Sequence, residues 1–177
     1  MHLATKQVTT QDMLGQLTEL SERWEKDNSK SSSINEEDGE DGDFVSNSNL
    51  TYQQQLKCIE NLLDENVSEE NLENIVNKLG NDIAAVRSAP TALFCFLKAK
   101  NPVEGFCESS PFQRTLELAM SFGGDTDTIM SMAGAIAGAY YGEKKIPQYL
   151  INLCEGIQDA RTQADEICTL IEKNSPE

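Results

Sequence analysis

The residues with the clearest chemical potential lie in the segment SFGGDTDT, at positions 121–128. Two glycines precede Asp125 and Asp127, which alternate with Thr126 and Thr128. Glycine adopts backbone dihedrals that other residues avoid, so the pair can turn the chain sharply in front of these side chains. Two carboxylates and two hydroxyls therefore crowd one turn of chain, and such oxygens are the ligands that Mg²⁺ and Ca²⁺ prefer.

Two interpretations of this turn stay open from the residue types alone. In the first, Asp125 caps the following helix by accepting from its backbone amides, and the helix dipole stabilises Asp127. In the second, both carboxylates bind a divalent cation, which relieves the repulsion between like charges held close together. Mg²⁺ usually takes six oxygen ligands and this turn offers two or three, so water or another segment must supply the rest.

The helix expected after the turn consists mainly of small and apolar residues from Ile129 to Tyr141. Gly134 and Gly138 are four residues apart and lie among alanines, which lets neighbouring helices approach closely. This composition predicts a central bundle helix that begins at about Thr126. The N-terminus of that helix, with both aspartates, is then expected deep inside the protein.

The rest of the chain predicts further helices, because apolar residues recur at helical spacing and no alternating strand pattern persists. We therefore assign the chain to the all-α class. The first helix, residues 9–26, has Thr9 or Thr10 as its cap and an apolar stripe expected to face the core, formed by Met13, Leu14, Leu17, Leu20 and Trp24. The other predicted helices are Tyr52–Asp64, Ser68 to about Gly80, Asn81 or Asp82 to Lys100, Pro111–Ser121, and Pro147–Glu172 with a break near Gly156.

Within the helix that follows Asp82, Pro90 must either kink the helix or mark a junction, because proline lacks the N–H that a helix interior needs. The apolar residues of this stretch are predicted to lie in the core, namely Ile83, Phe94, Phe96 and Leu97.

Residues 27–49 form a polar and acidic tract with almost nothing to bury. Ordering a backbone costs about 1–2 kcal/mol per residue, so we predict a disordered insertion here. A calcium-binding loop is disfavoured because the tract lacks the distal glutamate of that motif. The net charge of the whole chain is −16, which argues against contacts with a nucleic-acid backbone.

The chain contains five cysteines and one histidine, His2, with no closely spaced cysteine pair. This pattern disfavours a zinc site and indicates free thiols in a reducing compartment. No segment reads as a signal peptide or a membrane span, so we expect no contact with a membrane.

The stretch SFGGDTDTIMSMAGAIAGAYYG closely resembles the C-terminal metal motif of the ADP-ribosylglycohydrolase family. The stretches LGNDIAAVRSAPTALFCFL and FQRTLELAMSFGGDTDT resemble the branch of that family that removes ADP-ribose from serine and degrades poly(ADP-ribose). The resemblance covers most of residues 1–177, apart from the acidic insertion. It implies the C-terminal half of an ADP-ribosylglycohydrolase-type helical domain.

The resemblance implies that Asp125, Asp127 and Thr128 contribute ligands to a pair of Mg²⁺ ions. It also implies that Ile83 contacts the adenosine part of the ligand, although a core role for Ile83 is equally open. Asp82 stands where a small residue is expected. The family's N-terminal lobe carries a catalytic glutamate, a Thr-Asp-Asp metal motif and a glycine-rich diphosphate loop, and none of these is present in the sequence.

The implied activity is Mg²⁺-dependent hydrolysis of ADP-ribose from serine, of poly(ADP-ribose) or of O-acetyl-ADP-ribose, in the DNA damage response. We expect no catalytic residue in this chain and no turnover by the chain alone, with an ADP-ribose-type ligand or an ADP-ribosylated protein as its partner. The alternatives are a non-catalytic ADP-ribose-binding or structural remnant of the family, and an unstable fragment. We predict a monomer in the cytoplasm and nucleus, with mitochondria as a further location.

Overall fold

The computed structural model describes residues 9–28 and 50–174, and within these ranges every regular element is a helix. The all-α prediction is therefore confirmed. The helices are α1 (Thr10–Asn28), α2 (Tyr52–Leu62), α3 (Glu69–Leu79), α4 (Ala85–Ala99), α5 (Pro111–Ser121), α6 (Thr126–Tyr141), α7 (Gln148–Leu153) and α8 (Ile157–Asn174), with a 3₁₀ turn at Glu143–Lys145. No helix of the described ranges is long and apolar enough to cross a bilayer.

Side-chain caps explain where two of these helices begin. Thr9 Oγ1 accepts a hydrogen bond from the backbone N–H of Asp12 at 3.1 Å, so the predicted cap of α1 is confirmed. Ser110 Oγ accepts from the N–H of Gln113 at 3.2 Å, and Pro111 occupies the first position of α5. Both caps satisfy amides that have no partner inside their own helix.

Two other predicted caps behave differently. Ser68 stands at the N-cap of α3, but its side chain accepts no hydrogen bond from that helix. Asp82 lies two residues ahead of the α4 cap, and its Oδ1 accepts from the N–H of Ala84 at 2.9 Å. Asp82 therefore shapes the turn that leads into α4 instead of capping the helix itself.

Helix α4 is the centre of the hydrophobic core and packs against α2, α5 and α6. Its Phe94, Cys95 and Phe96 are fully buried, as predicted for the two aromatic residues. The ring centroids of Phe94 and Phe122 are 5.9 Å apart, and those of Phe96 and Tyr140 are 5.2 Å apart. Each buried aromatic side chain contributes about 1.5–3 kcal/mol, so α4 holds both the end of α5 and the end of α6.

Pro90 lies inside α4, which runs from Ala85 to Ala99 without a break. Of the two alternatives left open for Pro90, a kink or a junction, the junction is therefore excluded. The missing N–H would have bonded the carbonyl of Val86, in the first turn of the helix. Pro90 is buried, and this burial helps to offset the lost hydrogen bond.

Two apolar predictions are wrong in detail. Leu14 is buried, but Leu20 and Trp24 at the other end of the α1 stripe are 56% and 57% exposed. Ile83 is 77% exposed, which excludes the core role left open for it. Helix α1 also continues to Asn28, into the first two positions of the predicted acidic insertion, and residues 29–49 lie outside the described ranges.

The side chain of Arg114 organises the connection between α4 and α5. It is only 2% exposed, and its Nε donates to the carbonyl of Ala99 at 2.9 Å. Its Nη1 donates to the carbonyls of Cys107 at 2.5 Å and Glu108 at 3.1 Å. A helix leaves its last carbonyls unpaired, so this guanidinium satisfies the end of α4 and the following loop together.

The predicted break near Gly156 is confirmed, since α7 ends at Leu153 and α8 begins at Ile157, with a positive φ of 72° at Gly156. Helix α8 buries no residue of its described part. Its Arg161 forms an exposed ion pair with Glu143, in which Arg161 Nε donates to Glu143 Oε1 at 2.8 Å. All five cysteines of the chain lie in the described ranges and are free thiols.

Candidate metal centre

The turn between α5 and α6 is produced by two consecutive glycines in the left-handed region. Gly123 and Gly124 have φ values of 65° and 64°, which other residues adopt only at a cost. This pair reverses the chain directly after Phe122 and places Asp125 at the N-cap of α6. Residues 122–128 are called the carboxylate turn below.

Asn81 holds the carboxylate turn from the opposite side. The backbone N–H of Asp125 donates to the carbonyl oxygen of Asn81 at 2.7 Å, and Asn81 Nδ2 donates to the carbonyl oxygen of Phe122 at 2.8 Å. A Cβ atom at Gly124 would lie 2.1 Å from the Asn81 oxygen. Gly124 is therefore required by the close approach of this neighbouring backbone as well as by its own φ.

The first carboxylate of the turn, Asp125, does not cap α6 with its side chain. Asp125 is the N-cap residue, yet its side chain accepts no hydrogen bond from the helix. Its Oδ2 is buried and has no hydrogen-bond partner. The capping interpretation therefore fails for the Asp125 side chain. A buried polar atom without a partner is costly, and a bound cation is one group that would satisfy it.

Asp127 is exposed and lies against Asp125. The side chain of Asp125 lowers the pKa of Asp127, and the backbone N–H groups of Thr128 and of Asp127 itself lower that pKa further. The two backbone N–H groups donate hydrogen bonds to the charged form of Asp127 and so favour it. The turn therefore presents a stabilised carboxylate beside a buried oxygen that lacks a partner.

These donors fit a divalent cation, but they form only part of a ligand set. Asp125, Asp127 and Thr128 supply hard oxygen atoms within one turn, which suits Mg²⁺. Within residues 9–28 and 50–174, no group of three or more His, Cys, Asp and Glu side chains is placed to hold a metal. The unpartnered Oδ2 of Asp125 is the atom that a cation would satisfy.

Ile83, the predicted adenosine contact, lies two residues after Asn81 on the segment that meets the carboxylate turn. The segment, residues 80–84, is fixed to α4 by Thr91 Oγ1, which donates to the carbonyl of Gly80 at 2.7 Å. Asp82 Oδ2 also pairs with Arg87 Nη1 at 3.3 Å. Asp82 thus has a structural partner, and the exposed Ile83 side chain is left available for a ligand.

Helix α6 is only partly covered. Its buried residues are Ile129, Ala133 and Ala137, while Ser131, Ala135 and Ala139 are exposed. In the first turn of α6, Asp127 is exposed, so the expectation that the N-terminus of α6 lies deep inside the protein is wrong for the described ranges. The small residues that let neighbouring helices approach are present, but part of this surface faces solvent.

An apolar groove lies between α1, α2, α4 and α6, with a volume of about 460 Å³. Its walls include Leu20, Trp24, Tyr52, Pro90 and Ile136. The groove accounts for the exposure of Leu20 and Trp24, because these side chains line it instead of packing in the core. Helical periodicity predicts the apolar side of α1, but it contains no information on where the neighbouring helices end.

The family model described as ADP-ribosylglycohydrolase matches residues 5–177. The chain belongs to the ADP-ribosylglycohydrolase family.

Two relatives that are named as ADP-ribosylhydrolases support this family membership. The mouse (Mus musculus) ADP-ribosylhydrolase ARH3 is 42% identical over 125 residues, which cover 70% of this chain and 33% of that protein. The human (Homo sapiens) ADP-ribosylhydrolase ARH3 is 42% identical over 124 residues, covering 70% and 34%. An uncharacterised protein of Archaeoglobus fulgidus is 31% identical over 90 residues, covering 48% and 26%. The chain spans about a third of the length of the two ARH3 relatives it matches.

The structure brings three of the four predicted ADP-ribosylglycohydrolase site residues into one turn, namely Asp125, Asp127 and Thr128. Ile83 belongs to the segment that contacts this turn. Sequence reasoning missed Asn81, which was interpreted as a helix cap. A Gly-Gly turn indicates that another backbone approaches closely, but the sequence does not show which one.

Proposed function

We propose that this chain forms part of a Mg²⁺-dependent ADP-ribosylhydrolase site that acts on serine-linked ADP-ribose, poly(ADP-ribose) or O-acetyl-ADP-ribose. The observation that carries the proposal is the buried Oδ2 of Asp125, which has no partner and lies beside Asp127. Family membership supplies the substrate class, since the relatives are named ADP-ribosylhydrolases. We further propose a monomer that acts in the cytoplasm and nucleus, with mitochondria as another location.

The residues of the chain have distinct roles in this proposal. Asp125, Asp127 and Thr128 hold Mg²⁺ through their oxygen atoms. When bound, the metal supplies polarisation of ribose hydroxyls and orientation of a water molecule. Ile83 offers an exposed apolar side chain to the adenosine part of the ligand.

We assign none of the described residues as the general acid or base of this reaction. Departure of the acceptor oxygen needs a positioned proton donor. The family resemblance implies that this donor is a glutamate of the N-terminal lobe, which the sequence lacks. We therefore propose that the isolated chain does not turn over substrate. Release of ADP-ribose from a serine-linked peptide by the purified chain would overturn this part of the proposal.

A second candidate is a non-catalytic ADP-ribose-binding or structural role. The incomplete ligand set favours it, because two carboxylates without further protein ligands hold Mg²⁺ weakly. Binding without turnover and a purely structural role differ in whether ligand stabilises the folded chain.

A thermal melt of the chain with Mg²⁺ and ADP-ribose tests the proposal. A ligand that binds only the folded state stabilises it by about 2.7 kcal/mol when present at about 100-fold its Kd, so the midpoint must rise. The Asp125→Asn variant keeps the size of the side chain but loses a ligand charge, and we expect it to melt cooperatively without the rise. NaCl at matched ionic strength controls for screening.

Each outcome of the melt has a clear meaning. If the ligands raise the melting midpoint of the natural chain but not that of Asp125→Asn, the result supports a site at the carboxylate turn. An equal rise in both proteins places the binding elsewhere and contradicts the proposal. A cooperative melt with no rise in either protein favours the structural role.

A further inference from the structure

The carboxylate turn owes its shape to a segment more than 35 residues before it in the chain. Asn81 contacts the turn through both its backbone and its side chain. Its carbonyl oxygen accepts from the Asp125 N–H at 2.7 Å, and its Nδ2 donates to the Phe122 carbonyl at 2.8 Å. These two hydrogen bonds contact the turn at Phe122 and at Asp125, one residue before and one residue after the Gly123–Gly124 pair.

We infer that Asn81 is a positioning residue for the metal-binding carboxylates, an inference that rests on the proposed function. The Asp125 N–H is the last amide before α6 begins, so the hydrogen bond to Asn81 fixes where the Asp125 side chain leaves the backbone. The Nδ2 bond to Phe122 sets the orientation of the Asn81 carbonyl. Without it, the carbonyl and the turn can move apart, and the two carboxylates lose their fixed spacing.

The surroundings of Asn81 make it a firm support. The preceding residue, Gly80, is held by the hydroxyl of Thr91 at 2.7 Å, in a buried hydrogen bond. The following residue, Asp82, accepts from the Ala84 N–H and pairs with Arg87. Both neighbours of Asn81 are therefore tied to α4 or to the turn that leads into it. Asn81 therefore connects the carboxylate turn to the α4 core. Among the described residues, no other backbone group from outside α5 and α6 forms a hydrogen bond with the turn.

The geometry also explains why the amide side chain is needed. A donor must face the Phe122 carbonyl, and the Asn81 backbone must lie close enough to touch Gly124, whose added Cβ would be 2.1 Å from the Asn81 oxygen. Aspartate has the same shape but would direct an acceptor at the Phe122 carbonyl. Alanine would leave that carbonyl without its partner.

The test compares Asn81→Ala and Asn81→Asp with the natural chain, and Asn152→Ala serves as a matched control. Asn152 is exposed and its side chain accepts a hydrogen bond from Gln148 in α7. Amide hydrogen exchange of residues 122–128 in metal-free protein measures how strongly the Asn81 hydrogen bonds restrict opening of the turn. We expect both Asn81 variants to exchange there about fivefold faster, as for the loss of one hydrogen bond. Exchange in the α4 core and the behaviour of Asn152→Ala are expected to stay unchanged.

The affinity for Mn²⁺, measured by the electron paramagnetic resonance signal of the free ion, is the second readout. Loss of a group that orients metal ligands typically weakens binding by about 10-fold or more, and we expect that loss in both Asn81 variants. A merely structural role would change the melting midpoint without this selective loss. The Asp variant keeps the test valid if the Ala variant folds poorly, since it preserves the side-chain volume.

The outcomes separate the positioning role from the proposed function. Unchanged exchange at residues 122–128 overturns the inference, and so does Mn²⁺ affinity equal to that of the natural chain. If the natural chain binds no Mn²⁺, the metal proposal fails for this chain, and the exchange rates alone decide the role of Asn81.

Discussion

At the scale of single residues, the carboxylate turn depends on a contact that no side chain larger than hydrogen can enter. Gly124 has a φ of 64°, and the Asn81 carbonyl oxygen occupies the place where a Cβ would project. Two separate penalties, one from the dihedral and one from the clash, therefore act at the same residue. The chain also contains a glycine that carries only the first penalty.

We predict that Gly124→Ala destabilises the chain more than Gly156→Ala does. Gly156 has a φ of 72° and no atom within 4 Å of an added Cβ. A positive φ alone costs a residue other than glycine about 1–2 kcal/mol, which we expect for Gly156→Ala. The clash at Gly124 should bring the total to about 3 kcal/mol or more, within the range seen for strained backbone positions.

Urea denaturation of both variants measures this difference. The Gly124 variant should also lose the melting shift with Mg²⁺ and ADP-ribose, because the Asn81 carbonyl and the turn are pushed apart. Equal free energies of unfolding for the two variants would mean that the close contact contributes nothing.

The residues of the site were predictable to very different degrees. Asp125, Asp127 and Thr128 form a local motif, and their role as a cluster was predicted from their spacing and from the family resemblance. Asn81 was not predicted as a partner of the turn, because its contact joins residues 41 apart in sequence. For Ile83, hydrophobicity alone left core and ligand roles open, and only its 77% exposure excludes the first.

At the scale of helices, the junction between α4 and α5 is held by one buried guanidinium. Arg114 donates to three carbonyl oxygens, at the end of α4 and in the loop before α5. Burying this charge is costly unless its donors are paired, and here backbone carbonyls provide the pairing. The packing of α5 against α4 therefore includes a polar component as well as an apolar one.

We predict that Arg114→Met destabilises the chain by about 3 kcal/mol, since it leaves buried carbonyls without donors. Arg161→Met is the matched control, because Arg161 forms an exposed ion pair with Glu143. Exposed pairs contribute about 0–1 kcal/mol, so the control should change little. Thermal and urea unfolding of both variants check the prediction, and similar losses in the two would contradict it.

Helix boundaries were largely predictable, because local signals set them. Pro111 begins α5, Gly80 ends α3 and Gly156 separates α7 from α8, as expected from the dihedral preferences of proline and glycine. The partners of each helix were not predictable in this way. Leu20 and Trp24 lie on the correct side of α1, but they line the groove between α1, α2, α4 and α6 and stay more than half exposed.

At the scale of the whole molecule, the acidic composition opposes compactness. The chain has a net charge of −16, from 30 acidic and 14 basic residues. Repulsion among excess like charges destabilises a folded state, and dissolved salt screens that repulsion. An uncovered groove and a partly uncovered α6 leave little additional packing to offset it.

We predict that the melting midpoint of the chain rises as NaCl is increased from low to moderate ionic strength. The gain should appear equally in Asp125→Asn, because screening acts on the whole charge distribution and not on one site. Differential scanning fluorimetry over a salt series measures it. A midpoint that falls with salt would show that specific ion pairs dominate over general repulsion.

The contact between Asn81 and the carboxylate turn joins residues 41 apart in sequence, and this separation determines at what stage of folding the turn becomes ordered. Single helices form within about a microsecond, whereas contacts between distant segments must first offset the entropy of closing the intervening chain. The hydrogen bonds to Phe122 and Asp125 are of the second kind, so they form only after α4 and α5 have come together. A peptide with the sequence SFGGDTDT carries the same oxygen atoms but lacks the support that orients them. The proposed metal site would therefore be complete only in the folded chain, and the short motif alone would not be sufficient to form it.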